Sequence, residues 1–189
     1  MKKAILFVLF FANGGVLSAE ENPGARTSLF VKLGNSYPIS GHWADSDAGF
    51  KRSGNYKLMI IKDLDENVSY GLQTGSSPKY SNKGTDLDLK IFSFTPTFFS
   101  WLGAPRHRYF VYGGTGVYHW SQPASVLYGS DSGTQFGYNL GAGVLYDFLF
   151  ELRWGLSLEW NHIFNMKGDN FDLDSANNFD VNVVFCKRW

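Results

Sequence analysis

From residue 135 to 146 the chain alternates with a period of two. Phe136, Tyr138, Leu140, Ala142, Val144 and Tyr146 fall on one parity, and Gln135, Gly137, Asn139, Gly141, Gly143 and Leu145 on the other. Successive strand side chains point to opposite faces, so this pattern predicts a strand with one apolar wall. The C-terminal stretch repeats it: Phe179, Val181, Val183 and Phe185 alternate with Asn178, Asp180, Asn182 and Val184. Between them, Trp154, Leu156, Leu158, Trp160 and Phe164 oppose Gly155, Ser157, Glu159 and Asn161. Noisier alternation predicts strands around Leu29–Leu33, Tyr56–Ile61, Val68–Gln73, Leu87–Phe92 and Tyr109–Tyr118. The total is eight, and an even number suits a closed up-and-down barrel.

The connections fit the same picture. Long polar links are expected at Asn35–Ser53, Gly75–Thr85, Gln122–Gly133 and Asn165–Asn177, and a tight turn at Asp63–Asn67. The other two links, Pro96–His107 and Asp147–Arg153, are shorter on average but not both tight, and Pro96–His107, at twelve residues, fits the alternation least well. Long and short connections therefore alternate, with the long ones gathered at one end of the barrel. No repeat or linker divides the chain.

The two faces of each strand differ in size. One carries large apolar and aromatic side chains, the other Gly, Ser, Asn, Gln and isolated charges. The glycine-rich faces have little area to bury and would make a poor dry core. Turned inward in a narrow barrel they leave room for a few long side chains. The expected fold is an all-β, closed eight-stranded antiparallel transmembrane barrel, its apolar wall against lipid. Tyr109, Tyr118, Trp120, Tyr146, Trp154, Trp160 and Trp189 lie near expected strand ends and are candidates for the aromatic girdles at the lipid–water boundaries. Among the inward-reading charges, Lys32, Lys90, Glu159, Asp180 and Arg188 are expected to pair in a lumenal network. A buried charge without a partner costs several kcal/mol, on the order expected for an uncompensated ion. Lys57 and Asp88 share that inward reading, and Lys32–Glu159–Arg188 is the expected centre, because the first, seventh and eighth strands are close in a closed barrel.

The N-terminus reads differently. Lys2 and Lys3 precede the apolar run Ala4–Ala12, and small residues follow up to Ala19. This is the layout of an export signal, with cleavage expected after Ala19. The run is about half the roughly 20 residues a spanning helix requires. Residues 1–19 are thus expected to be a leader and 20–189 the barrel. Overall, 17 basic residues balance 17 acidic ones. Loss of the leader removes two lysines and no acid, leaving a slightly acidic chain. That balance excludes a nucleic-acid binder steered by bulk charge. The 17 Phe, 10 Tyr and 6 Trp exclude a disordered chain. The single cysteine, Cys186, excludes an internal disulfide framework and reads as a structural thiol on the inward face.

Tyr109–Val117, Gly137–Val144, Leu156–Trp160 and the strand ending at Trp189 carry a resemblance. On them the chain resembles the small outer-membrane β-barrel family of the opacity-protein, OmpA and OmpX type. The resemblance implies residence in the outer membrane of a Gram-negative bacterium, in contact with lipid and lipopolysaccharide. It also implies a monomer, a porin-like family label and a surface ligand, such as a host molecule, at the loops. The terminal aromatic and alternating last strand resemble the signal read by the outer-membrane assembly machinery, although Lys187 stands where an apolar residue is usual.

Candidate chemistry is sparse. The lipid A deacylases, also eight-stranded barrels, imply a His with a Ser two residues later. Here His162 is followed by Phe164, so a general base has no hydroxyl to activate. His119 and Ser121 share a face but form no further constellation. Asp169, Asn170, Asp172 and Asp174 lack the glycine and distal Glu of a calcium loop. Gly113–Gly116 continues a strand and opens no helix, so it is no phosphate cradle. Gly129–Gly133 fails the nucleophile-elbow pattern. No catalytic set, cofactor or metal is expected. The leading expectation is a structural or surface-interaction barrel with a filled lumen and four extracellular loops. The alternatives are a lipid A-directed barrel enzyme and a secreted soluble barrel binding an apolar ligand.

Overall fold

The computed structural model describes residues 26–102, 107–149, 152–169 and 171–189. The leader expected at residues 1–19 lies outside them. Eight strands follow in order: β1 (Thr27–Pro38), β2 (Ser53–Asp63), β3 (Val68–Ser81), β4 (Asp88–Leu102), β5 (His107–Gln122), β6 (Asp131–Leu149), β7 (Leu152–Gly168) and β8 (Phe171–Arg188). One short helix, α1 (Gly41–Ala44), lies between β1 and β2. Each strand pairs antiparallel with the next, and β1 closes on β8 from Ser28↔Arg188 to Pro38↔Asn178. Closure leaves no sheet edge. At the closure seam Thr27 and Trp189 exchange backbone hydrogen bonds of 3.0 Å.

The ends differ. At the turn end, β2 and β3 meet through residues 64–67, where Asp65 Oδ1 accepts the amides of Asn67 and Val68 at 2.8 Å each. At the loop end, the connections are residues 39–52, 82–87 and 123–130, and a two-residue link between β7 and β8. The expected loops are therefore shorter than the polar stretches suggested. Residues 165–177 are mostly strand, because the β7–β8 hairpin continues to Gly168↔Phe171. Asn165 has φ 45°, and beside it the pleat of both strands changes phase: Ile163 and Met166 both face inward, as do Ala176 and Leu173. Polar sequence hid this extension because backbone pairing above an apolar belt requires no apolar alternation.

β4 also corrects an expectation. Instead of ending near Phe92, it runs through Pro96 to Leu102. Pro96 cannot donate a ladder hydrogen bond. Pairing with β5 is interrupted beside it and resumes in the same register, from Phe94↔Val117 to Thr97↔Gly114. The orientation of the first part of β4 is inverted as well. Leu89 and Ile91 are buried in the lumen, while Lys90 and Phe92 are on the outer wall.

Outside, the apolar faces are exposed as the alternation predicts: Leu140 at 52%, Leu156 at 52%, Leu158 at 48% and Val181 at 42%. Inside, the lumen is filled in three layers. At the turn end Phe30, Met59, Phe99, Trp101, Phe110 and Cys186 form an apolar cluster. The Phe99 and Phe110 rings stack at 5.1 Å, and Trp101 meets Phe99 edge-on at 4.7 Å. At the loop end Trp43, Phe50, Tyr80, Leu89, Trp120 and Met166 belong to a second cluster. Between them lie buried Lys32, Lys57, Gln73, Asn139, Glu159, Asn161 and Asp180.

Candidate functional site

The middle layer is a hydrogen-bonded charge cluster centred on Glu159 of β7. Strand parity turns Lys32 (β1), Lys57 (β2), Gln73 (β3), Tyr112 (β5), Asn139 (β6) and Asp180 (β8) toward it. Glu159 Oε1 accepts from Lys57 Nζ at 2.6 Å, Gln73 Nε2 at 3.0 Å and Asn139 Nδ2 at 3.1 Å. Glu159 Oε2 accepts from the Tyr112 hydroxyl at 2.5 Å and Lys32 Nζ at 3.3 Å. Lys57 Nζ also reaches Asp180 Oδ2 at 2.6 Å, and Asn161 Nδ2 donates to the same oxygen at 2.9 Å. Lys32 Nζ donates to Gln73 Oε1 at 2.6 Å and sits 3.8 Å from the centre of the Tyr112 ring. Two ammonium groups thus face two carboxylates; Glu159 accepts three further hydrogen bonds, from Gln73, Asn139 and Tyr112, and Asp180 one, from Asn161. This is the condition under which burial of charge is tolerated.

Small residues make room for the long ones. Gly141 stands opposite Tyr112 on the neighbouring strand. A Cβ there would collide with the phenol ring. Next to the cluster is a cavity of about 20 Å³, lined in part by Lys57, Tyr80, Tyr118, Asn161 and Asp180. Such a volume has room for about one water molecule.

The structure brings together Lys32, Glu159 and Asp180 of the expected network, and separates the other two. Lys90 is exposed on the outer wall, because the first part of β4 presents Leu89 and Ile91 to the loop-end cluster. Arg188 lies at the turn end and forms an ion pair with Asp63, whose Oδ1 accepts from Ser69 Oγ at 2.7 Å. The climb of the strands around the barrel puts Arg188 level with Ser28, four residues along β1 from Lys32. Asp88, also read as inward, pairs with Lys79 at 3.0 Å on the partly exposed outer side. Sequence reasoning omitted Lys57 from the network. Its parity with Met59 and Ile61 was the available signal. Gln73, Tyr112 and Asn139 gave none beyond inward parity.

Of the girdle residues, Tyr109, Tyr146, Trp154 and Trp189 are exposed, and Trp160 is half-buried on the outer face. Tyr118 and Trp120 are not in a girdle. They are 3% and 1% exposed, inside the loop-end cluster. Trp43 completes this cluster from above: α1 folds it into the barrel mouth, where Nε1 donates to Asn178 Oδ1 at 2.8 Å. Its ring lies 4.5 Å from Phe50 and 5.0 Å from Tyr80. Trp43 was unremarkable in sequence because it lies in a loop with no periodicity.

His162 faces outward on β7. Its Nδ1 is 2.6 Å from Asn177 Oδ1, and the Phe164 ring packs edge-on at 4.4 Å. An oriented imidazole is present, but an aromatic ring occupies the position where a hydrolase of the deacylase type would carry its hydroxyl. His119 meets Thr134 Oγ1 at 3.0 Å, on the neighbouring strand. Asp172 pairs with Lys167 at 3.1 Å, and Asp131 accepts the Asp169 amide at 2.7 Å. Among the described residues, no group of three or more His, Cys, Asp and Glu is arranged to hold a metal ion.

No protein-family model and no curated protein matches the sequence. Solved structures do match the fold. Neisserial surface protein A has a TM-score of 0.63 at 11% identity, over 88% of this chain and 97% of that one. A major outer membrane protein from Thermus thermophilus has a TM-score of 0.64 at 12% identity, over 87% and 99%. Ail, the attachment invasion locus protein of Yersinia pestis, in complex with the heparin analogue sucrose octasulfate, has a TM-score of 0.52 at 14% identity, over 87% and 99%. The fold is that of the small eight-stranded outer-membrane β-barrels.

Proposed function

We propose that the protein is an exported resident of the bacterial outer membrane, acting as a structural or surface-interaction barrel without a catalytic step. The observation that carries this reading is the inverted distribution of side chains: an apolar outer wall around a lumen filled by a neutral charge cluster and two apolar layers. In water that wall would be a contiguous apolar surface far above what soluble monomers expose; in lipid it is the expected belt. The filled lumen argues against a diffusion pore. Surface interaction then falls to the loop-end segments 39–52, 82–87 and 123–130, where Val126 and Leu127 stand at 95% and 71% exposure. Residues 1–19 would direct export. The last strand, with Val181, Val183, Phe185 and Trp189 outward, would present the chain to the outer-membrane assembly machinery. Membrane fractionation combined with gel mobility before and after heating tests the reading. A protein in the outer-membrane fraction whose unheated form migrates differently supports it; recovery in the detergent-free soluble fraction refutes it.

A further inference from the structure

One polar group on the outer wall is unlike its surroundings. Tyr138, His162 and Asn177 stand directly opposite one another across β6, β7 and β8. Trp160 and Phe164 flank His162 along its own strand. Tyr138 stacks on the imidazole at 5.0 Å, and the Trp160 ring meets Tyr138 edge-on at 5.5 Å. Asn177 ties the group together. Its Oδ1 accepts from His162 Nδ1 at 2.6 Å and Trp160 Nε1 at 3.3 Å, and its Nδ2 donates to Ser40 Oγ at 2.6 Å.

Position matters here. Trp154 and Phe164 are ten residues apart on β7. Ten residues of tilted strand climb about 25 Å, the height of the apolar band of such barrels. With exposed Trp154 near one boundary, Phe164 lies at the other, and His162 one pleat inside it. A titratable side chain facing lipid at that depth is costly without a partner. Asn177 provides one partner, and because its Oδ1 can only accept, Nδ1 carries a proton and, in the neutral ring, Nε2 carries the lone pair. In that form Nε2 can accept a hydrogen bond from a hydroxyl approaching the wall. Below it, Leu140, Leu158 and Val181 continue as an acyl-chain surface. None of Ser40, Tyr138, Trp160, His162, Phe164 and Asn177 is a fixed cation, and Lys167 beyond them is paired with Asp172. The patch is thus built for a neutral, hydroxyl-bearing ring rather than a phosphate.

We propose that this patch binds the saccharide headgroup of a membrane glycolipid, with aromatic rings against the sugar and His162 Nε2 accepting one of its hydroxyls. The proposal rests on the outer-membrane reading above. It assigns binding, not cleavage, since Phe164 leaves no nucleophile.

The test uses the full barrel folded in dodecylphosphocholine micelles, with dodecyl maltoside titrated in at constant total detergent. The indole N–H resonance of Trp160 and the imidazole nitrogens of His162 are followed, with the Trp154 indole at the far boundary as internal control. Saturable shifts at Trp160 and His162 but not Trp154, absent with free maltose, support the site. Asn177→Ala, and His162→Phe (which keeps an aromatic ring), should each weaken the titration about fivefold or more, as expected for loss of one hydrogen bond. Equal shifts at Trp154 and Trp160, or titrations unchanged in both variants, overturn it. Heat-modifiable gel mobility of each variant establishes that the barrel is folded, so a failure of the headgroup site is distinguishable from a failure of the membrane reading.

Discussion

The ammonium of Lys57 lies 2.6 Å from Glu159 Oε1, and neither side chain retains more than 5% exposure. Lys57 also contacts Asp180 at 2.6 Å, and so joins β7 and β8 to β2 across the lumen. Lys32 reaches the second oxygen of Glu159 from β1. The closing strands β8 and β1 are therefore connected by side chains as well as by their backbone ladder.

Glu159→Gln should destabilise the barrel strongly. It would leave Lys32 without a charged partner and Lys57 with only Asp180, inside a lumen that water does not freely enter. Removing one member of a buried ion pair typically costs about 3–5 kcal/mol. The expected result is a folding midpoint in urea, read by gel mobility in micelles, well below that of the unaltered protein. Replacing Lys32 by Met and Glu159 by Leu together removes one charge of each sign and should cost less than Glu159→Gln alone. An equal or larger loss in the double variant would show that shape, not charge balance, governs this layer.

Gly141→Ala tests the packing around the same carboxylate. The added methyl group would collide with the Tyr112 ring, whose hydroxyl donates to Glu159 at 2.5 Å. Overpacking of this kind costs about 1–3 kcal/mol. Gly54, where a Cβ meets nothing within 4 Å, is the control site. Gly54→Ala should leave the midpoint unchanged, and a matching loss at both positions would contradict the steric explanation.

The parts of the fold visible in sequence are those where the lumen is polar. On β1, β2, β6, β7 and β8 the small or polar parity faces inward at mid-barrel, as Lys32, Lys57, Asn139, Glu159 and Asp180 illustrate. Alternation alone cannot tell inside from outside, however, and the lumen changes character toward both ends. Leu89, Ile91, Tyr118 and Trp120 are apolar and nevertheless inward, because they complete the loop-end cluster around Trp43. Reading apolar as outward inverted Lys90 and put Tyr118 and Trp120 in the girdle. Arg188 was misplaced for a different reason. Its face was read correctly, but strand tilt set its height beside Asp63, information that comes only from the register. Polar strand extensions, such as those beyond Asn165, show no apolar period and read as loops.

The β2–β3 turn and loop 39–52 should respond to acid. Asp65 Oδ1 accepts the amides of Asn67 and Val68, and these bonds hold its carboxyl below the ordinary carboxylate range. Asp45 is lowered likewise by the amides of Ala48 and Asp47. A folded-state pKa below the unfolded value means the stabilisation is present above the unfolded pKa and is lost as pH falls through the folded one. Amide exchange at Val68 and Ala48 should therefore accelerate at low pH relative to its intrinsic rate, and Asp65→Asn should flatten the response at Val68 only. A carboxyl titration of Asp65 at or above the ordinary value would refute this account.

Opening of the lumen should require both apolar layers to be breached. Trp43→Ala removes the ring that closes the barrel mouth over Phe50 and Tyr80, and loop 39–52, with Lys51 and Arg52 exposed, should become sensitive to trypsin. Conductance in planar bilayers should nevertheless remain at the leak level, because Phe99, Trp101 and Phe110 still fill the turn end. Trp101→Ala with Phe110→Ala should also stay closed, since Trp43, Tyr80 and Trp120 are untouched. Only the triple variant opens both ends, leaving the charge cluster around Glu159 as the remaining obstruction and giving small, discrete conductance steps. Steps of that kind from Trp43→Ala alone would mean that the turn-end aromatic cluster is not a seal, and that the mouth tryptophan by itself closes the barrel.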